Sequence, residues 1–272
     1  MKNFKKYRFE YVLIFIVILL TITGFWNIYF KVDSKPNLYH HLHVLTNFIW
    51  LLLLLYQLSL IENKKFVDHR KVGLSILFIG PLLFASVALL SVHSAHKGLT
   101  SGQGDFLIVQ NVMVTIEMGF LIVLAFIFKK QRKLHGAFLL STVILFMGIA
   151  LLFTLISFVP KFKIEGPETF YRFETAGVAG RYVCLFAGLL FFLKDRRNGW
   201  PLFLAGSFHS LNELIKNLLN QHNLIQPLTE TVGSLNPLLT FFGSFSVLLI
   251  LLTLTGIANK KQIAKLRQPF AD

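Results

Sequence analysis

The sequence is poor in charge and nearly devoid of cysteine. Charged residues make up 15% of the 272 positions against 54% hydrophobic ones, whereas soluble domains carry roughly 25% charge. A chain this apolar has nothing but lipid to cover its outside, which excludes nuclear and secreted soluble classes and implies an integral membrane protein. The single cysteine, Cys184, sits inside an apolar run, so no intrachain disulfide and no thiolate metal cluster can form. Acidic residues are scarce, 13 against 27 basic, and the resulting +14 reads first as a statement about topology. No Walker loop, G-x-G-x-x-G, H-E-x-x-H, nucleophile elbow or C-x-x-C occurs, so the commonest phosphate, zinc, hydrolase and thiol-redox signatures are missing. Gly102-Gln103-Gly104-Asp105 reads as a turn rather than a phosphate cradle, and nucleic-acid binding has no support beyond the basic balance.

What is present is a series of apolar runs. A helix needs about 20 apolar residues to cross roughly 30 Å of hydrocarbon. Eight such runs are expected, at 10–30, 39–60, 71–92, 106–128, 137–159, 176–193, 200–221 and 235–257. The first follows Lys2, Lys5, Lys6 and Arg8 and meets no small-x-small cleavage site before Lys31, so a retained signal-anchor is expected. With eight spans, the inner segments collect nineteen basic residues, including Lys64, Lys65, Lys129, Lys130, Lys194, Lys260 and Arg267, and the outer loops six. This positive-inside bias keeps the polar seventh run as a span and makes both termini cytoplasmic. The expected fold is therefore one all-α polytopic bundle in the cell (inner) membrane, with no separate soluble domain and with basic loops against anionic lipid headgroups. Lys64-Lys65 with His69 and Lys129-Lys130 with His135 also resemble each other as a faint internal repeat.

Five of the nine histidines fall near the expected outer face. His40 and His43, and likewise His93 and His96, are three apart and so share a helix face. Two such pairs on neighbouring helix ends could supply imidazoles to a transition metal or to haem b. Snorkelling interfacial histidines are the competing account. At the other face His69 and His135 open two helices at similar depth and could form a second ligand pair. Asp68 is expected to cap the helix that His69 opens. His43, Trp50 and Gln57 recur every seven residues, a step that drifts only about 20° around a helix; Gln57 cannot face lipid cheaply, so this stripe should face the interior.

The seventh run is amphipathic. His209, Asn212, Glu213, Lys216, Asn217 and Asn220 fall within an arc of about 140° at 100° per residue, opposite Leu211, Leu214, Ile215, Leu218 and Leu219. Such a face must line water or meet polar partners, and Glu117, Asn111 and Arg181 are the candidates. His209 and Glu213, one turn apart, are expected to titrate as a pair.

The run Tyr39-His40-His41-Leu42-His43, Trp50, Gln57, Ile61, then His69-Arg70-Lys71-Val72-Gly73 and Pro81, resembles an uncharacterised bacterial family of multi-pass membrane proteins. Its signature is a helix with W and Q, a basic turn, then H-R-x-x-G, covering about residues 38–160. Lys130 to His135 matches a later basic opening, but Ala137-Phe138-Leu139 replaces the arginine and methionine that follow there. The resemblance implies membrane helices and no established activity. A looser likeness is to transmembrane b-type cytochromes, which hold haem between histidines near both faces; that likeness implies haem ligands.

Two functional readings follow. One is a haem- or metal-binding redox membrane protein using His43, His93, His69 and His135, with His40 and His96 as further metal ligands. The other is a proton- or ion-coupled transporter or sensor whose polar path includes Glu117, Arg181, His209, Asn212, Glu213 and Lys216. The charge bias also makes a direct forecast: a reporter fused to the C-terminus should be active only in its cytoplasmic form, and activity confined to the outer compartment would reject the eight-span arrangement.

Overall fold

The computed structural model describes residues 7–102 and 104–267, with side chains as far as Thr255. Lys2, Lys5 and Lys6 lie outside the described residues, as do Gln103 and the side chains of Lys260, Lys261, Lys265 and Arg267. The described chain is all-α. In order it forms α1 (Arg8–Gly24), a π turn (Trp26–Phe30), α2 (Leu38–Glu62), α3 (Phe66–Gly73), α4 (Ile76–Ser101), α5 (Ile108–Ile127), α6 (Arg132–Phe158), a 3-10 turn (Pro167–Thr169), α7 (Arg172–Lys194), α8 (Trp200–Gln221), α9 (Ile225–Gly233) and α10 (Pro237–Arg267).

Six helices, α2, α4, α5, α6, α7 and α10, are long and apolar enough to cross a membrane, which makes this a multi-pass membrane bundle in contact with lipid. The two remaining expected spans differ for identifiable reasons. α1 has 17 residues, about 25 Å at 1.5 Å per residue, before the backbone widens into the π turn. α8 is long enough, but Asn212, Glu213, Lys216 and Asn217 interrupt its apolar sequence. Both still pack within the bundle, α1 along α6 and α8 along α7.

The expected third span is two helices. α3 is a short polar segment that ends at Gly73, and α4 begins afresh at Ile76 and continues to Ser101, past the point where a loop was expected. Asp68 does not cap α3: it lies within the first turn, and no side chain caps that end. Pro81 inside α4 cannot donate to the Leu77 carbonyl. The 221–235 connection holds a further helix, α9, whose Gly233 comes against the backbone of Ala95 and His96 on α4. Gly102 and Gly104 both adopt positive φ, 69° and 71°, which supports the expected turn and explains glycine at both positions.

The core runs through α2, α4, α5, α6 and α8. Trp50, Leu83, Met118, Phe138 and Ile144 are fully buried there. On the outside, α7 and α10 present Phe186, Leu190, Leu239, Phe242 and Ile250, all exposed, an outer surface suited to lipid and not to water. The His43, Trp50, Gln57 stripe faces inward. His43 approaches Ser86 on α4 and Trp50 Nε1–H donates to Thr142 Oγ1 on α6 at 2.8 Å. With its amide turned to suit its neighbours, Gln57 donates to His69 Nδ1 and accepts from the Gly73 N–H of α3.

α7 and α8 approach most closely because glycines face carbonyls across their interface. A Cβ at Gly188 would meet the Leu202 carbonyl, and one at Gly206 the Cys184 carbonyl; small residues allow this approach where apolar burial cannot drive association. The turn between them is fixed by Asp195, which accepts from Asn198 Nδ2 at 3.0 Å and from Lys133 Nζ at 3.1 Å; these partners hold its carboxyl below the usual range.

Gly206→Val should therefore lower thermal stability by about 1–3 kcal/mol, the usual cost of overpacking. Gly243→Ala, inside α10 where an added Cβ meets nothing within 4 Å, should leave the melting temperature in the same detergent the same or slightly higher.

Candidate functional site

The bundle has two ends, and each gathers polar residues. At the end that carries the Gly102 turn, Asn37 organises the histidines. Its Oδ1 accepts the His40 N–H at 3.2 Å, its own N–H donates to His40 Nδ1 at 3.2 Å, and its Nδ2 donates to His93 Nε2 at 2.9 Å. The first two contacts form a capping box at the start of α2. The His40 and His93 rings stand edge to face with centroids 5.5 Å apart.

His43 lies one turn further in, with Nδ1 3.5 Å from Ser86 Oγ, and His96 is exposed. The structure thus brings His40 and His93 together but leaves His43 and His96 outside that contact. His40 Nδ1 and His93 Nε2 both spend lone pairs on Asn37. Among the described residues no group of three or more His, Cys, Asp or Glu side chains is arranged to hold a metal ion.

At the opposite end, His69 and His135 are neighbours. Burial at the α3 junction, and then the charge of His135, push the His69 imidazole below its usual range. His69 Nδ1 is taken by the Gln57 amide. His135 Nδ1–H donates to the Ala125 carbonyl at 2.7 Å, which orients its Nε2 as the acceptor nitrogen. The two imidazoles are near enough for the charge of His135 to act on His69, without a hydrogen bond or ring contact between them among the described residues, and the His69 Nδ1 lone pair is already used.

The most developed constellation lies between α5, α6, α7 and α8, in the half of the bundle nearer the Gly102 turn. It surrounds a cavity of about 140 Å³ lined by Gln110, Gly148, Arg181, His209, Asn212 and Glu213, among others. Phe106, Phe173 and Glu174 also line it.

The α8 polar arc is inward in part: His209 and Asn212 are buried and Glu213 and Lys216 half-buried, whereas Asn217 and Asn220 are exposed, and Ile215 and Leu219 of the opposite side pack inward. Arg181 Nη1 donates to Glu213 Oε2 at 3.0 Å, and Lys216 Nζ donates to Glu213 Oε1 at 3.2 Å. These groups are a quarter to nearly half exposed, so the network is partly wet. Asn212 Nδ2 donates to Glu117 Oε2 at 3.3 Å. His209 Nδ1 accepts from Gln110 Nε2 at 2.8 Å, and its ring occupies the space where a Cβ on Gly148 would sit.

Arg181 and Glu117 are partners of α8 as expected. No Asn111 side-chain bond to α8 is present among the described residues; its backbone carbonyl accepts from Thr115 Oγ1 on its own helix. Glu213 pairs with two cations and His209 with Gln110, so no His209–Glu213 bond is present among the described residues.

Two organising residues escaped the sequence reading. Asn37 was visible only as an asparagine ahead of an apolar run, an ordinary N-cap signal. Gln110 carried no signal, because nothing in the sequence tells which turn of α5 meets α8. No family model, curated protein or solved structure matches the chain.

The two cations on one half-buried carboxylate set up a testable coupling. Arg181→Leu should cost about 1–3 kcal/mol in thermal stability by leaving Glu213 with a single partner. Adding Glu213→Gln should recover part of that loss; additive losses in the double variant would show that the pair contributes nothing.

Proposed function

We propose that this is a polytopic protein of eight spans, with both termini cytoplasmic, that admits a small polar solute or ion into the α5–α8 cleft as a proton- or ion-coupled transporter or sensor in the cell (inner) membrane. The carrying observation is that Glu117 and Asn212 are 4% and 1% exposed, that Asn212 lines an open cavity and bonds Glu117 behind it, and that each keeps one oxygen without a hydrogen-bond partner. An unsatisfied polar atom among apolar helices costs several kcal/mol unless water or a ligand reaches it. A cleft whose wall carries Arg181, Glu213 and Lys216 supplies that access. α8 counts as a span in this reading because its polar side faces the cleft while Leu211, Leu214 and Leu218 are exposed outward.

Ligation of haem b or a transition metal by His43 and His93, with His69 and His135 as a second pair or with His40 and His96 as further metal ligands, draws less support. The lone pairs that such ligation needs on His40, His93 and His69 are directed at Asn37 and Gln57, so binding would first have to break the α2 cap and the α2–α3 contact. The likeness to the W…Q…H-R-x-x-G family adds an expectation of membrane helices and no activity. Basic loop residues such as Lys64, Lys65 and Lys71 suit anionic lipid headgroups.

Cysteine accessibility tests the cleft. In a Cys184→Ala background, Glu213→Cys and Lys216→Cys should react several-fold faster with a membrane-impermeant aqueous thiol reagent than Leu214→Cys and Leu218→Cys. Equal rates would reject an aqueous cleft and reduce the α8 polar face to contacts between helices.

A further inference from the structure

We infer that Glu117 and Asn212 form a site for a monovalent cation at the inner limit of the α5–α8 cleft, an inference that rests on the cleft reading above and names what the cleft takes. Charge accounting comes first. Along the cavity wall Arg181 and Lys216 are matched in number by Glu213 and Glu174, and Glu213 accepts from both cations. No positive side chain is left over for Glu117, whose hydrogen-bond partner is the Asn212 amide nitrogen at 3.3 Å. Its second oxygen has none.

Asn212 adds an independent observation. It is 1% exposed, it lines the cavity, and with its nitrogen committed to Glu117 its Oδ1 is left unpartnered. Two buried acceptor oxygens from facing helices, one of them on a carboxyl group without a counter-ion, make a donor set that suits a positively charged partner with strong oxygen affinity.

The donor set also restricts the charge and type of that partner. Calcium and magnesium sites draw on six or more oxygens with carboxylates among them, and a single carboxylate with one amide oxygen matches one positive charge better than two. Soft metals prefer imidazole and thiolate. His209, the neighbouring imidazole, accepts from Gln110 through Nδ1 and is wedged against Gly148, and Cys184 is buried at the α7–α8 contact. At about 30 Å³ per water, the cavity of about 140 Å³ holds enough water to complete the shell of an alkali ion or to surround a primary ammonium group. Both sources share the chemistry of a compact monovalent cation.

The test uses the full chain purified in nanodiscs. Its melting temperature is followed against NaCl, KCl or methylammonium chloride, each exchanged at constant ionic strength for N-methylglucamine chloride. Wild type should show a saturable rise with at least one small cation, and the active one distinguishes an alkali ion from an ammonium group. Glu117→Gln, close to isosteric and free of the buried charge, should melt in N-methylglucamine no lower than wild type and lose the saturable rise. Glu117→Asp should keep it with a shifted midpoint.

No rise in wild type with any of the three cations, or an equal rise in Glu117→Gln, would overturn the site. Fast aqueous labelling of Lys216→Cys without any cation effect would sink this inference while leaving the cleft standing. Slow labelling with a cation effect that Glu117→Gln abolishes would do the reverse.

Discussion

The constraint on which this bundle depends is that a polar group inside a layer of lipid must meet another polar group or water. Apolar burial cannot by itself hold helices together there, since lipid tails are as apolar as leucine. The specific contacts are therefore polar or steric. Trp50 reaches Thr142 on α6, Thr46 reaches Ser86 on α4 at 2.8 Å, and Gln57 ties α2 to α3. Together they fix the rotation of α2 and, through it, the positions of α4 and α6. The α7–α8 pair is fixed differently, by glycines that let each backbone touch the other.

That division explains where the candidate site falls. On the α2 side of the bundle most polar groups find a protein partner, and the interior is closed. Between α5, α6, α7 and α8 the pairing is incomplete, and that is where the cavity opens. Arg181, Glu213 and Lys216 satisfy one another at its wall. Glu117 and Asn212, deeper in, satisfy only one contact between them. The chemistry a membrane protein can perform is concentrated in what its packing leaves unpaired; His209 and Asn212 at the cavity wall and Glu117 beside Asn212 carry such atoms, while Glu10, Asn47 and Glu62 carry others on the α1 and α2 side.

Much of this was legible from the residues. The seven-residue recurrence of His43, Trp50 and Gln57 gave the buried face of α2, and the polar arc of α8 gave its inward side together with Arg181 and Glu117 as partners. Periodicity reports which face is buried because a helix has a fixed 100° step. It does not report depth along a neighbour, and so Gln110 was invisible and His209 was matched with Glu213 on its own helix. Continuity was misjudged for a related reason. Hydropathy opened the third span at 71, inside the last turn of α3, because Leu74 and Ser75 between the two helices lead at once into the apolar run of α4. The histidines near the Gly102 turn have a use that spacing did not reveal: His40 and His93 both bond Asn37, and His40 completes the α2 cap.

The wedge of His209 against Gly148 has a consequence for how this chain can change. The gap between α6 and α8 at that level is filled by an imidazole entering a position that has no side chain of its own. Bulk at 148 and bulk at 209 therefore trade against each other, and neither position can drift alone. A lineage that gained a methyl group at 148 would have to surrender the ring at 209, and with it the bond to Gln110 that links α5 to α8. Two residues separated by 61 positions in sequence are thus tied by one steric constraint.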